Sequence, residues 1–240
     1  MNKNEYIVGI IGGMGSYATA DFFLRLIQAF PAEKEWERPR ILIDNYCTMP
    51  SRVRAILYNE RREELVRDLA DTTKRFLQVG VSRIILACNT SHVFLPEIIN
   101  IVPESADRFI NIIDVCGQTI CEKGMRSVSL MASEGTIETK IYQDTFGKYG
   151  IQVNVPVPEQ FQRLRMLIEA VKQNKVTESV CRDFIQFQNS FADEGVILGC
   201  TELPILAAAC VRLRICSEKV LLDPLQTAIE QIVTEYEACV

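Results

Sequence analysis

Short runs rich in Ile, Val and Leu alternate along the chain with longer stretches in which apolar residues recur every three or four positions. The short runs predict strands at residues 6–11, 40–44, 83–87, 109–112, 127–131, 151–155, 195–198 and 220–222. The longer stretches predict amphipathic helices, among them 16–30, 61–78, 137–146, 160–173 and 224–236. Strands and helices that alternate in this way build parallel sheets covered by helices, so the fold class is α/β. No linker, charge block or low-complexity segment interrupts the pattern.

Within this pattern lies an internal echo. The segment SRIILACNT, residues 82–90, is repeated in outline by DEGVILGCT, residues 193–201. Each is a buried strand, a small residue, a Cys and then a hydroxyl residue opening a helix, and the helices that follow carry Pro96 and Pro204. Two copies of one strand–helix unit predict two similar, pseudo-symmetric lobes, each a short parallel sheet flanked by helices, with the active site in the cleft between them. The expected boundaries put residues 1–113 and 224–240 in the first lobe and 114–223 in the second.

Composition narrows the range of functions. A net charge of −5 over 240 residues lacks the basic stripe that binding a phosphate backbone requires, so nucleic acid is not an expected partner. The start MNKNEYIVGIIGG has no sustained apolar run, and no stretch approaches the ~18 uninterrupted apolar residues of a membrane span. A cytoplasmic protein without membrane attachment is expected. Nine cysteines are an odd number, no secretion signal accompanies them and no C-x-x-C occurs, so most are expected as free thiols rather than disulfides. With His92 as the single histidine, no metal site is expected, and any Ser-His or Cys-His scheme has to run through that one imidazole.

The stretch IVGIIGGMGSYATADFF, residues 7–23, ends a strand in a glycine-rich turn and opens a helix. Gly13-x-Gly15-x-x-Ala18 is the short form of the dinucleotide fingerprint, and it keeps an NAD-dependent oxidoreductase as a rival reading. Asp44, the candidate ribose-binding acid, falls 29 residues after Gly15, beyond the spacing of about 20 that the fingerprint requires. Any tight strand-to-helix turn favours glycine, and this rival explains neither cysteine motif.

Cys88 and Cys200 each stand at the carboxyl end of a predicted parallel strand, where ligands bind in open α/β sheets. Free N–H groups of a following helix favour both a substrate carboxylate and a thiolate. A thiol with a reference pKa of about 8.5 is lowered in such a place toward a value suited to proton transfer at neutral pH. Cys47, Cys116, Cys121, Cys181, Cys210, Cys216 and Cys239 are read instead as small core residues, since most lie in apolar patterns.

At these residues the chain resembles a known family. LACNTSH (86–92) and LGCTELP (198–204) are similar to the two signature stretches of the aspartate/glutamate racemase superfamily, and GGMGSYATADFF (12–23), TMPSRVRAIL (48–57) and ASEGTIETKIY (132–142) resemble its aspartate racemase branch. The resemblance spans nearly the whole chain. It implies a homodimeric, cofactor-independent amino-acid racemase acting on aspartate and/or glutamate. One cysteine takes the α-proton as thiolate and the other returns a proton to the opposite face as thiol. On this reading Asn89, Thr90 and Thr201 hold the α-carboxylate and ammonium, Thr136 adds a contact and Met14 forms a wall.

Arg52 matches the family arginine that reaches the side-chain carboxylate, a role suited to a bidentate guanidinium. Its alternative is a solvated basic face shared with Arg54, Arg61 and Arg62. The position usually occupied by Asp reads Ser51, and a second expected cation reads Phe161, with Arg163 and Arg165 nearby. Ser91, His92 and Glu202 are expected as supporting residues. His92 either positions Asn89 or Thr90, tunes the Cys88 thiolate, or caps and packs; Glu202 either orients Thr201 or the thiol, or favours the helix dipole. A racemase for another amino acid, a maleate-type isomerase, a decarboxylase and a non-catalytic amino-acid binder remain as alternatives on the same scaffold.

Overall fold

The apolar run near the amino terminus folds as β1 (Ile7–Gly12), and all six of its residues are buried, in a computed structural model that describes residues 2–239. Burial on both faces is what a central strand needs when helices cover its sheet on either side. Helix α1 (Ser16–Ala29) turns Ala18, Thr19, Phe22 and Leu26 inward. The chain then forms β2 (Arg40–Asn45), α2 (Arg52–Tyr58), α3 (Arg62–Val79), β3 (Arg83–Leu86) and α4 (Leu95–Ile101). The three strands are parallel in the order β2-β1-β3, with Ile10 opposite Ile43 on one side and Ile85 on the other. Helix α3 buries Leu65, Val66, Leu69 and Phe76 at helical spacing. It stops at Gly80, whose φ of 84° lets its N–H close on the Leu77 carbonyl.

The strand expected at 109–112 shrinks to one bridge between Phe109 and Ile84. Ile112, Ile113, Cys116 and Ile120 are all buried at helical spacing, so the apolar run is taken over by α5 (Ile112–Glu122). Next come β4 (Ser127–Met131), α6 (Glu134–Glu138), α7 (Ile141–Gly147), β5 (Gln152–Asn154), α8 (Phe161–Lys172), α9 (Glu178–Asn189), β6 (Gly195–Leu198), α10 (Leu203–Arg212) and β7 (Val220–Leu222). These strands form a second parallel sheet in the order β5-β4-β6-β7. The single helix expected at 137–146 is two, broken where Lys140 adopts a left-handed φ of 54°.

The chain divides into two compact units, Met1–Ile112 with Leu225–Val240, and Ile113–Pro224. Their internal topologies agree. Each has its first strand at the centre, its second on one side and its cysteine-bearing strand on the other. In the second unit β7 extends the sheet beyond β6, and in the first the Phe109 bridge occupies the equivalent place beside β3. The last helix, α11 (Pro224–Glu237), buries Leu225, Ala228, Ile229, Ile232 and Tyr236. Its Glu235 accepts from Arg83 Nε at 2.6 Å and from the Tyr6 hydroxyl at 3.1 Å, which ties the chain's end to β3 and to the start of β1.

Candidate active site

Parallel strands deliver the loops at their carboxyl ends to one edge of a sheet, and in each unit those loops carry the candidate residues. In the first unit they are the turn after β1 with Met14, the segment after β2 leading to Arg52, and the segment after β3 with Cys88, Asn89, Thr90, Ser91 and His92. The Ala87 N–H donates to Ile11 O at 2.9 Å, and its counterpart in the second unit, Gly199 N–H, donates to Met131 O at 2.7 Å. Each cysteine is thus set one residue beyond a bond that clamps its strand to the central one.

The helix expected directly after each cysteine begins later. Thr90–Phe94 is a 3₁₀ turn that precedes α4, and α10 opens at Leu203, with Leu203 N–H donating to Cys200 O at 3.0 Å. The prolines explain the delay. Pro96 and Pro204 sit in the first turn of α4 and α10, where a missing N–H costs no helical hydrogen bond and the fixed φ suits the helix.

Arg52 is anchored to this first group. Its Nη2 donates to Met14 O and its Nη1 to Pro50 O, both at 2.9 Å, while Ser91 Oγ donates to Met14 Sδ at 2.8 Å. Met14 therefore joins Arg52 to the segment that follows Cys88. The neighbouring arginines are committed elsewhere: Arg54 to Glu60 at 2.7 Å, Arg61 to Glu64 at 2.7 Å, and Arg62 to both oxygens of Glu97 at 2.6 and 2.8 Å. Arg52 pairs with no carboxylate among the described residues, and its Nε is buried with no hydrogen-bond partner there. The basic face is thus a set of surface ion pairs from which Arg52 is withheld.

His92 is buried. Its Nε2 accepts from Ile112 N–H at 3.4 Å, so the proton sits on Nδ1, which donates to Cys88 O at 3.0 Å. Burial pushes the imidazole down to about 4 against the opposing pull of nearby backbone carbonyls, which keeps it neutral. His92 thus holds the Cys88 backbone through its carbonyl. Arg62 braces the same segment by lying 5.0 Å over the Phe94 ring while it forks Glu97 on α4.

In the second unit, Cys200 Sγ donates to Glu202 Oε2 at 2.9 Å and Thr201 Oγ1 approaches the same oxygen at 3.4 Å. Glu202 is 2% exposed. A residue not foreseen from the sequence acts on them electrostatically: Lys172, in the last turn of α8. Burial alone would lower its pKa, but the Glu202 carboxylate, the neighbouring Cys200 whenever it is ionised, and the hydrogen bond to Glu169 together hold it above the ordinary lysine value. In the sequence Lys172 reads as an ordinary last-turn lysine, and nothing local distinguishes it. The nearby cations that were expected are spent on ion pairs, Arg163 with Asp183 at 2.7 Å and Arg165 with Glu134. Thr136, fully buried in α6, opens at the same edge of its sheet as Cys200 because β4 and β6 are neighbours.

The glycine turn serves its own packing. Gly13 has a φ of 80°, and a Cβ there would collide with the backbone of Tyr46 and Cys47; a Cβ on Gly12 would strike Thr19. The Gly13 N–H, the group a phosphate or carboxylate would need, already donates to Thr19 Oγ1 at 3.1 Å. Asp44 is likewise occupied by Arg75 at 3.1 Å and Thr72 at 3.2 Å. Of the seven remaining cysteines, Cys116, Cys181 and Cys210 are core residues, and burial drives the Cys116 thiol well above its usual range and that of Cys210 to about 12. Cys121 and Cys239 are half-buried, whereas Cys47 and Cys216 are exposed, contrary to the core reading. Among the described residues no group of three or more His, Cys, Asp or Glu side chains is arranged to hold a metal ion, and no helix is long and apolar enough to cross a membrane.

Comparison with known proteins places this geometry in context. The sequence profile of the Asp/Glu/Hydantoin racemase family matches residues 11–232. The broad specificity amino-acid racemase RacX of Bacillus subtilis (strain 168) is 25% identical over 207 residues, which cover 82% of this chain and 86% of that protein. Among solved structures, Picrophilus torridus aspartate racemase superposes with a TM-score of 0.80 at 25% identity, covering 97% of this chain and 94% of the other. A glutamate racemase from Campylobacter jejuni subsp. jejuni superposes with a TM-score of 0.66 at 15% identity, covering 95% and 85%; that likeness speaks for the fold alone.

Proposed function

The chain belongs to the Asp/Glu/hydantoin racemase family, and on that premise we propose that it interconverts the enantiomers of aspartate or glutamate without a cofactor, using Cys88 and Cys200 as the two proton-transfer groups. The observation that carries the reading is the twin setting of the cysteines, each one residue past the same strand-to-strand hydrogen bond. One thiolate removes the α-proton: its S–H bond forms as the C–H bond breaks, and the electron pair passes into the substrate carboxylate. The other thiol delivers its proton to the opposite face and keeps the S–H electron pair. The α-proton of an amino acid is weakly acidic, so a positioned base and stabilisation of the carbanionic intermediate are both required.

An acidic side chain is favoured by Arg52, a part-buried guanidinium held in place by two carbonyls and paired with no carboxylate among the described residues. Arginine suits a second carboxylate in a fixed, bidentate geometry. Lys172 supplies a further positive charge in the other unit. Racemisation of a less acidic amino acid is the second reading, favoured by Phe161 at an expected cationic position.

The test offers a panel of L-amino acids without added cofactor and scores D-products by chiral chromatography. Aspartate or glutamate is expected to give the fastest conversion. Cys88→Ser and Cys200→Ser should each slow it by about 10²–10⁴-fold, the usual contribution of a general acid or base. Arg52→Ala should lower kcat/KM for the acidic substrates more than for neutral ones. Racemisation that survives in the double Ser variant would overturn the two-cysteine scheme.

A further inference from the structure

The setting of Cys200 holds more than a place for a thiol. A carboxylate from the next turn, Glu202, is almost fully buried beside it and accepts its S–H at 2.9 Å. The second oxygen, Oε1, is buried with no hydrogen-bond partner among the described residues. Lys172, from α8, is paired with Glu169 at 3.1 Å, and its positive charge also acts on both groups. A buried carboxylate with one idle oxygen is costly, and its single strong contact is with the sulfur. Cys88 differs. It receives hydrogen bonds at its carbonyl, from His92 and from the Ser91 N–H at 3.3 Å, and no carboxylate bonds to its thiol among the described residues.

Ionising Cys200 would set a thiolate against a carboxylate oxygen 2.9 Å away, so the Glu202 charge favours the proton on sulfur. We propose that Glu202 keeps Cys200 protonated in the resting protein, so that Cys200 enters turnover as the acid and Cys88 as the base. This inference rests on the two-cysteine reading above. When Cys200 donates, the S–H bond breaks and its electron pair stays on sulfur, while a C–H bond forms on the substrate. The new thiolate then stands against the Glu202 carboxylate. Lys172 supplies the counter-charge that makes this state accessible, and repulsion from Glu202 favours recapture of a proton from solvent water.

Alkylation by iodoacetamide reads the thiolate directly, because only the thiolate displaces iodide at a useful rate. In the full-length protein at neutral pH, the rate at Cys200 is followed by peptide mass spectrometry, with Cys88 in the same molecule as the internal reference. Glu202→Gln keeps the shape and removes the charge. It should speed alkylation of Cys200 by about tenfold, the effect of lowering a thiol pKa by about one unit, and leave Cys88 unchanged. Lys172→Met, at a partly exposed position where folding is not at stake, should slow Cys200 several-fold. An unchanged or slower Cys200 in Glu202→Gln, or an unslowed Cys200 in Lys172→Met, overturns the proposal. Alkylation needs no turnover, so a protein that racemises nothing and still shows both rate changes keeps the control of the Cys200 proton by Glu202, while the functional reading and the acid and base roles drawn from it fail. A protein that racemises aspartate with no rate change at Cys200 does the reverse.

Discussion

A neutral imidazole fastens the backbone of Cys88, and its titration is a stability property. His92 is held at about 4 when folded, against 6.5 for the free group. Between those values the unfolded chain takes up a proton that the folded one refuses, so stability is intact above pH 6.5 and is lost as the pH falls toward 4. Over that window the loss amounts to about 3 kcal/mol. Urea midpoints measured across it should fall more steeply for the wild type than for His92→Gln; parallel slopes would sink this account. At the residue scale the sequence was informative where chemistry is local. Cys88, Cys200 and the Glu202 contact were legible because the cysteines sit in repeated contexts and Glu202 lies two residues from its partner. Lys172 was not, since only the packing of α8 decides what its ammonium faces.

The break between α6 and α7 belongs to the scale of elements. The apolar spacing of residues 137–146 suits one continuous helix, yet Lys140 takes a left-handed conformation that a side chain disfavours. Exposed as it is, Lys140 is expected to yield to Gly with a gain of about 0.5–1 kcal/mol, the strain relieved less the entropy glycine adds to the unfolded chain. Thermal unfolding followed by circular dichroism checks this, and a lowered Tm would count against it. The strands β4, β6 and β7 fall where their short apolar runs predict, and β6, buried throughout, writes the uninterrupted apolar signal of a covered parallel strand. Residues 109–112 do not, because the same isoleucines also satisfy the helical period of α5 and the longer element prevails.

At the scale of the whole molecule, the first unit is closed by a helix from the far end of the chain. Deleting residues 225–240 removes five buried apolar side chains, of which Leu225, Ile229 and Ile232 each contribute about 1.5–3 kcal/mol, against a typical net stability of about 5–15 kcal/mol. The first sheet is expected to lose its structure, which hydrogen exchange at β1 and β3 would report; protected amides there would refute the role given to α11. The sequence alone determined the α/β class, the repeated strand-and-cysteine unit and the two thiols, since these depend on periodicity and on neighbours a few residues away. Only the tertiary structure decided that Gly13 yields to the Tyr46 backbone and gives its N–H to Thr19. It also decided that Arg52 is withheld from ion pairing and anchored on Met14, that the charge of Lys172 acts on Glu202 and Cys200, and that α11 completes the first unit. Each of these is a meeting of segments set by chain topology and close packing, and a one-dimensional pattern carries no record of which segments will meet.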